Sequence, residues 1–232
     1  MKDAAKFGSS KKDGSKGRVP LFKDLGFAGV GLHFEDLARL DGFAVIAGID
    51  EVGRGCLAGD VVAAACVLDP ARRLPKGLND SKMLTTSARE EIADELREHA
   101  VAFAYGRVDA EEIDRINILE ATKKAMRAAI ASLVPKADFL LIDALVLRDT
   151  LLPQRSIIKG DSISASIAAA SVLAKTFRDG LMRECDKEFP QYGFAGHKGY
   201  GAASHLEALR RHGPCPLHRR SFRGVLPEIL DL

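Results

Sequence analysis

Residues 47–59 read "AGIDEVGRGCLAG". An apolar run, "FAVIAGI" over residues 43–49, leads straight into two adjacent carboxylates, Asp50 and Glu51, and then into Gly53-Arg54-Gly55. A short continuous apolar run that ends in charge fits a central strand covered on both faces. Carboxylates placed directly behind such a strand are costly, because their neighbours are buried. The position therefore asks for a chemical reason.

Working outward, "DVVAAACVL" (residues 60–68) is a second strand, with Gly59 marking a tight link to the first. "VAFAYGRV" (101–108), "DFLLIDA" (138–144) and "RSIIKGD" (155–161) are three more. Helical patterns lie at "FEDLARLDGF" (34–43), closed by Gly42, and at "TTSAREEIADELREHA" (85–100), which starts at Thr85–Ser87. The stretch 109–134 gives one or two helices stopped by Pro135; 162–189 gives a long helix with a face of small residues, and 202–213 a late helix. From the first strand the order is β-β-α-β-α-β-β-α-α. It predicts an α/β protein with a mixed sheet and helices packed on its faces.

Asp50, Asp143 and Asp161 share one context, since each ends an apolar strand. In sheets with crossover helices, sites gather where strand ends meet. Three unpaired carboxylates brought together would repel, and a divalent cation removes that cost. Oxygen donors without nearby His or Cys point to Mg²⁺ or Mn²⁺ over zinc. Glu51 needs its own account, because successive strand side chains face opposite ways. Either the strand ends or twists at Glu51, or Glu51 offers its backbone carbonyl. Asp161 reads equally as a ligand or as a helix-capping aspartate, and Asp143 equally as a ligand or as a structural strand-end acid.

Gly53-Arg54-Gly55 combines a backbone that can approach a ligand closely with a guanidinium suited to phosphate. Taken alone it would be a plain turn; beside two carboxylates it reads as a ligand loop. Asn79, Ser81 and Lys82 cluster in "LNDSKML", and His197, Lys198 and Tyr200 lie in "GHKGYG". Arg219 and Arg220 lie in "HRRSFR", read as a basic-aromatic patch. Each stretch alone reads as ordinary surface. Together they favour nucleic acid, with Tyr200 stacking and the basic residues holding phosphates.

The chain has 232 residues, 47% of them hydrophobic, and a net charge of +2. That suits one large domain, or one with a small appendage, without disulfide staples. Cys56, Cys66, Cys185 and Cys215 show no zinc spacing and read as free thiols of a reducing compartment. Residues 1–20 hold six Lys or Arg against two Asp, and residues 197–223 hold six Lys or Arg, four His and one Glu. Basic ends of this kind suit a polyanion. The first 20 residues, rich in Gly, Ser and Lys, form an expected disordered basic leader. No secretory signal is present, and the longest charge-free run, 162–174, is too short to cross a bilayer. The expectation is a cytoplasmic protein with no membrane contact.

"GIDEVGRG", "LNDSK", "LLIDA", "KGDSISASIAAASVLAKTFRD", "HKGYG" and "HRRSF" occur in that order. Over residues 44–223 the chain resembles bacterial ribonuclease HII. The resemblance implies a ribonuclease H-like fold, a five-stranded mixed sheet flanked by helices, with a small helical C-terminal extension. The expected division is a leader at 1–20, a catalytic domain at 21–190 and a substrate-binding extension at 191–232. It further implies that Asp50, Glu51, Asp143 and Asp161 hold two divalent ions, Mg²⁺ or Mn²⁺. Gly53, Arg54 and Gly55 would sense a 2′-hydroxyl, and Tyr200 would stack on the sugar after the ribonucleotide. The implied partners are RNA/DNA hybrids and duplex DNA with embedded ribonucleotides, cut by a monomer 5′ of the ribonucleotide to leave 3′-OH and 5′-phosphate ends. Cys56 and Asp60 depart from the family's "GRGPLAGPV", in which prolines occupy their places.

Three rivals remain open at this point. They are an integrase, transposase or Holliday-junction nuclease on the same fold, a catalytically silent nucleic-acid binder, and a Mg²⁺-dependent phosphatase of small molecules. An all-DNA substrate, EDTA and the basic ends discriminate among them.

Overall fold

The computed structural model describes residues 29–226. The expected leader, residues 1–20, lies outside them, as do 21–28 and 227–232. Helix α1 (His33–Leu40) precedes strands β1 (Ile46–Val52) and β2 (Val61–Val67). Helix α2 (Thr86–His99), strand β3 (Ala102–Val108) and helices α3 (Ala110–Ile116) and α4 (Ile118–Ser132) follow. Strands β4 (Phe139–Asp143) and β5 (Gln154–Ile157) lead to the long helix α5 (Ala165–Glu188), then α6 (Phe194–His197) and α7 (Ala203–His212).

The sheet has five strands in the order β3-β2-β1-β4-β5. β1 is antiparallel to β2 and parallel to β4; β4 is parallel to β5. The mixed sheet expected from the strand order is therefore present. β1 occupies its centre, which is why its residues up to Asp50 are apolar and buried.

Helix α4 covers one face, over Ala47, Ile49, Ala63 and Ala65. Helices α2 and α5 cover the other, over Ala64 and Cys66. The small residues of α5 permit close approach, and the backbone at Ser166 lies where a side chain at Gly48 would stand. Any larger residue at 48 would push α5 off the sheet. Helix α1 is fastened to the start of α5 by Glu35, which accepts from Ser164 Oγ at 2.7 Å and from Ser166 N at 2.8 Å.

Of the one or two helices expected over 109–134 the structure has two, parted at Asn117, whose φ is 69° and whose side chain caps α4 by accepting from Leu119 N and Glu120 N. Two expectations about local structure change. Asp161 does not cap α5. It lies in a short 3-10 turn, Gly160–Ser162, and Ser164 is the cap, accepting from Ile167 N. The link between β1 and β2 is an eight-residue loop over 53–60 instead of a tight turn at Gly59.

Candidate active site

β1 and β4 run side by side in register, with Ile49 opposite Ile142. The next residue on each is an aspartate, so Asp50 and Asp143 stand as neighbours at the C-terminal ends of two parallel strands. Period-two alternation places both on the α5 face. Asp161 reaches the same edge from the turn after β5, and Gly160 N donates to Asp143 Oδ1 at 2.7 Å. β1 does not end at Glu51; it pairs through Val52 with Val62. Glu51 is held at the edge by Arg54, whose Nη1 stands 3.2 Å from Glu51 Oε1.

The electrostatics are those of a site short of positive charge. Burial pushes the Asp50 carboxyl well above its ordinary range, and the charges of Glu51 and Asp143 push it further. Burial raises Glu51 against the pull of Arg54. Asp143 is pushed up to about 6, by burial first and then by Asp161 and Glu51, against its bond from Gly160. Lys82 answers part of this charge: its Nζ lies 3.3 Å from Asp161 Oδ2 and 3.6 Å from Asp80 Oδ1. Burial works against the Lys82 ammonium, but Asp80 and Asp161 hold its pKa above the ordinary value.

A divalent cation fits this donor set. All the donors are carboxylate oxygens, Asp50 and Asp143 are adjacent, and Glu51 Oε2 is buried without any partner. Among the described residues no three His, Cys, Asp or Glu side chains already converge on one point. Arg54, Gly160 and Lys82 each bond one of the acids. An open cleft of about 550 Å³ leads to Asp143 and Asp161, with Asn79, Lys82 and Lys159 on its walls.

The other residues singled out divide in two. Arg54, Gly55, Lys82 and Tyr200 are exposed around the site, Tyr200 at 42%. The loop 53–60 meets the "HKGYG" turn directly, since Leu57 N donates to Gly199 O at 2.8 Å. The Tyr200 hydroxyl stands against the Cys56 thiol, and Lys175 Nζ lies 5.9 Å from its ring centre. Asn79 is exposed at the lip, its Oδ1 accepting from Asp80 N.

Ser81, by contrast, is buried and shares a 2.9 Å hydrogen bond with Ser171 Oγ, and Ser171 in turn bonds Asp50. His197 turns inward, with Nε2 on Tyr192 O and Nδ1 accepting from Gly199 N. Lys198 Nζ donates to Ala195 O, and burial lowers its pKa. Arg220 is exposed, but its backbone is tied to Asp114 on α3. Arg219 departs most from the surface patch expected of "HRRSFR": it is fully buried, and it bonds backbone carbonyls.

Two residues not singled out in the sequence lie beside the site: Ser171, next to Asp50, and Arg178, which donates to the carbonyls of Ala58 and Asp60 in the loop 53–60. Both lie on one α5 stripe, at positions 171, 175, 178 and 182, spaced as one helical face. A Ser, a Lys and an Arg in a stripe of otherwise small or apolar character are the signal that could have found them.

The ribonuclease HII family model matches residues 47–225. The ribonuclease HII of Desulfitobacterium hafniense is 56% identical over 198 residues, covering 85% of this chain and 76% of that protein. The ribonuclease HII of Geobacter metallireducens is 50% identical over 212 residues, covering 91% and 99%. The crystal structure of ribonuclease H2 from Pyrococcus horikoshii superposes with a TM-score of 0.66 at 27% identity, covering 78% of this chain and 95% of that one.

Proposed function

This chain belongs to the ribonuclease HII family, and from that footing we propose that it cuts the phosphodiester 5′ of a ribonucleotide, both in RNA/DNA hybrids and at single ribonucleotides in duplex DNA. The products are a 3′-OH and a 5′-phosphate. The observation that carries the reading is the pair Asp50 and Asp143, adjacent on parallel strand ends and both raised in pKa, beside the Gly53–Gly55 loop.

Asp50, Glu51, Asp143 and Asp161 would hold two Mg²⁺ or Mn²⁺ ions. Bound there, the ions supply activation of the attacking water and neutralisation of charge on the phosphate. The chain's own residues do the rest. The Ser81–Ser171–Asp50 hydrogen bonds keep the Asp50 carboxylate in one orientation. Lys82 offsets the acids while the site is free of substrate. Arg54 offers a guanidinium, and the glycines beside it a backbone that a 2′-hydroxyl can reach; that hydroxyl is what separates RNA from DNA. Tyr200, exposed and braced by Cys56 and Lys175, would stack on a sugar or base.

The basic segments agree with a nucleic-acid substrate. The test is cleavage of a uniform RNA/DNA hybrid beside an all-DNA duplex, each with Mg²⁺ or EDTA. Mg²⁺-dependent cutting of the hybrid alone is expected. Cutting of the all-DNA duplex would move the protein to another nuclease class, and cutting in EDTA would remove the acids from their role.

A further inference from the structure

Among the described residues Arg178 and Arg219 are the two largest fully buried side chains, each 0% exposed. Among the described residues neither forms an ion pair with a carboxylate within 4.0 Å. Burying a guanidinium unpaired is costly unless its N–H groups are satisfied. Both spend them on backbone carbonyls. Arg178, from α5, donates to Asp60 O at 2.8 Å, Lys198 O at 2.8 Å and Ala58 O at 3.0 Å. Arg219 donates to Arg54 O at 2.9 Å and, through two nitrogens, to Gly59 O at 2.7 and 3.1 Å.

The five carbonyls held this way are not scattered. Four belong to the loop 53–60 and the fifth to Lys198, two residues before Tyr200. The remaining loop contacts complete the frame: Arg219 N donates to Leu57 O, while the Leu57 and Ala58 N–H groups donate to Gly199 O and the Gly59 N–H to Leu217 O. The N–H groups of Arg54 and Gly55 take no part in this network. A side chain at Gly53, where φ is 92°, would collide with the Arg178 guanidinium. That close approach explains why glycine is required there, apart from its torsion angle. The loop also carries Cys56 and Asp60, neither of which restrains the backbone as a proline would.

We propose that Arg178 and Arg219 are positioning residues for substrate recognition: the two buried forks turn the carbonyls of loop 53–60 inward, which aims the Arg54–Gly55 peptide edge outward and fixes it relative to Tyr200. The inference rests on the reading that this loop meets the ribonucleotide. A lysine in either place keeps the charge but carries one ammonium in place of a planar fork, so it cannot hold the same set of carbonyls.

The experiment compares Arg178→Lys and Arg219→Lys with the unaltered protein. Loop misplacement by about 1 Å is worth ~10²-fold in rate, so kcat/KM on a duplex with one embedded ribonucleotide is expected to fall by roughly that factor. The Mg²⁺ concentration for half-maximal rate should stay unchanged. Amide exchange at Leu57, Ala58 and Gly59 should quicken, with β1 amides unaffected. Guanidinium ion at millimolar concentration should restore part of the rate of Arg219→Ala, and equal NaCl should not.

Lysine variants within threefold of the unaltered rate would overturn the proposal. So would failure of both to fold, because the arginines would then be general supports. If the unaltered protein leaves the ribonucleotide duplex uncut, the reading of the loop fails separately. Amide exchange at 57–59 then still decides whether the forks hold the loop.

Discussion

Asp50 and Asp143 are neighbours because β1 and β4 are parallel and in register at Ile49 and Ile142, so each strand delivers its aspartate at the same level and to the same face. The pairing sets up the stability and the chemistry together. Two carboxylates taken out of water side by side destabilise the fold, and a cation placed between them and the substrate relieves that cost.

The first prediction is a pH dependence. Asp143 has its carboxyl raised to about 6 from 3.8. A raised carboxyl binds more protons in the folded than in the unfolded chain between those values. Its contribution to stability is therefore present below pH 3.8 and lost as pH rises through 6. Without divalent ions, Asp143→Asn should be more stable than the unaltered protein at pH 7 and equal to it near pH 3.8. For this partly exposed group, screened by water, the difference should be on the order of 1–2 kcal/mol. Urea unfolding at several pH values measures it. A variant less stable at pH 7 would mean that Asp143 is a net structural support.

The second follows from the same deficit of positive charge. Mg²⁺ at a hundred times its dissociation constant should stabilise the protein by about 2.7 kcal/mol if it binds the folded state alone. Asp50→Asn and Asp143→Asn should lose most of this gain. Thermal unfolding with and without Mg²⁺ reads it directly. Equal gains in all three proteins would place the ion elsewhere.

Tyr200 carries the third. Tyr200→Ala should cost more on a single ribonucleotide followed by DNA than on a uniform RNA/DNA hybrid. Loss of one stack is worth about 1–3 kcal/mol. A hybrid offers many registers, so poor alignment at one is averaged out, whereas a single ribonucleotide offers only one. Comparing kcat/KM on the two substrates measures the difference. Equal losses would reduce Tyr200 to a prop for the turn that carries it.

The sheet and the position of the acids were legible in the sequence because both follow from local pattern. "FAVIAGID" and "DFLLIDA" are apolar runs that end in a carboxylate, and parallel pairing of two such runs puts the acids together. Thr85 and the 3.6-residue spacing after it located α2, and Thr85 does cap it, accepting from Ala88 N. What escaped depended on contacts far apart along the chain. Nothing within "HRRSFR" says that Arg219 will meet carbonyls 160 and 165 residues earlier, and an arginine in a basic run reads by default as solvated. Ser81 was seen as a polar loop residue, but only the packing of that loop on α5 turns it toward Ser171. Of the readings left open for Glu51, the one that ended the strand there does not hold. The strand instead continues to Val52, and Glu51 is kept at the edge by Arg54.

The central claim, that the paired strand-end acids serve a cut directed by a 2′-hydroxyl, meets its most direct test in one labelled duplex. The duplex carries a single ribonucleotide, its control the deoxynucleotide at the same position, and both are incubated with Mg²⁺ and the unaltered protein or Asp143→Asn. The account predicts one product, ending in a 3′-OH immediately 5′ of the ribonucleotide, no cutting of the control, and a rate at least tenfold lower for Asp143→Asn, a loss of about 1.4 kcal/mol or more. Cutting of the control, cutting on the 3′ side of the ribonucleotide, or an Asp143→Asn rate above a tenth of the unaltered one would contradict it.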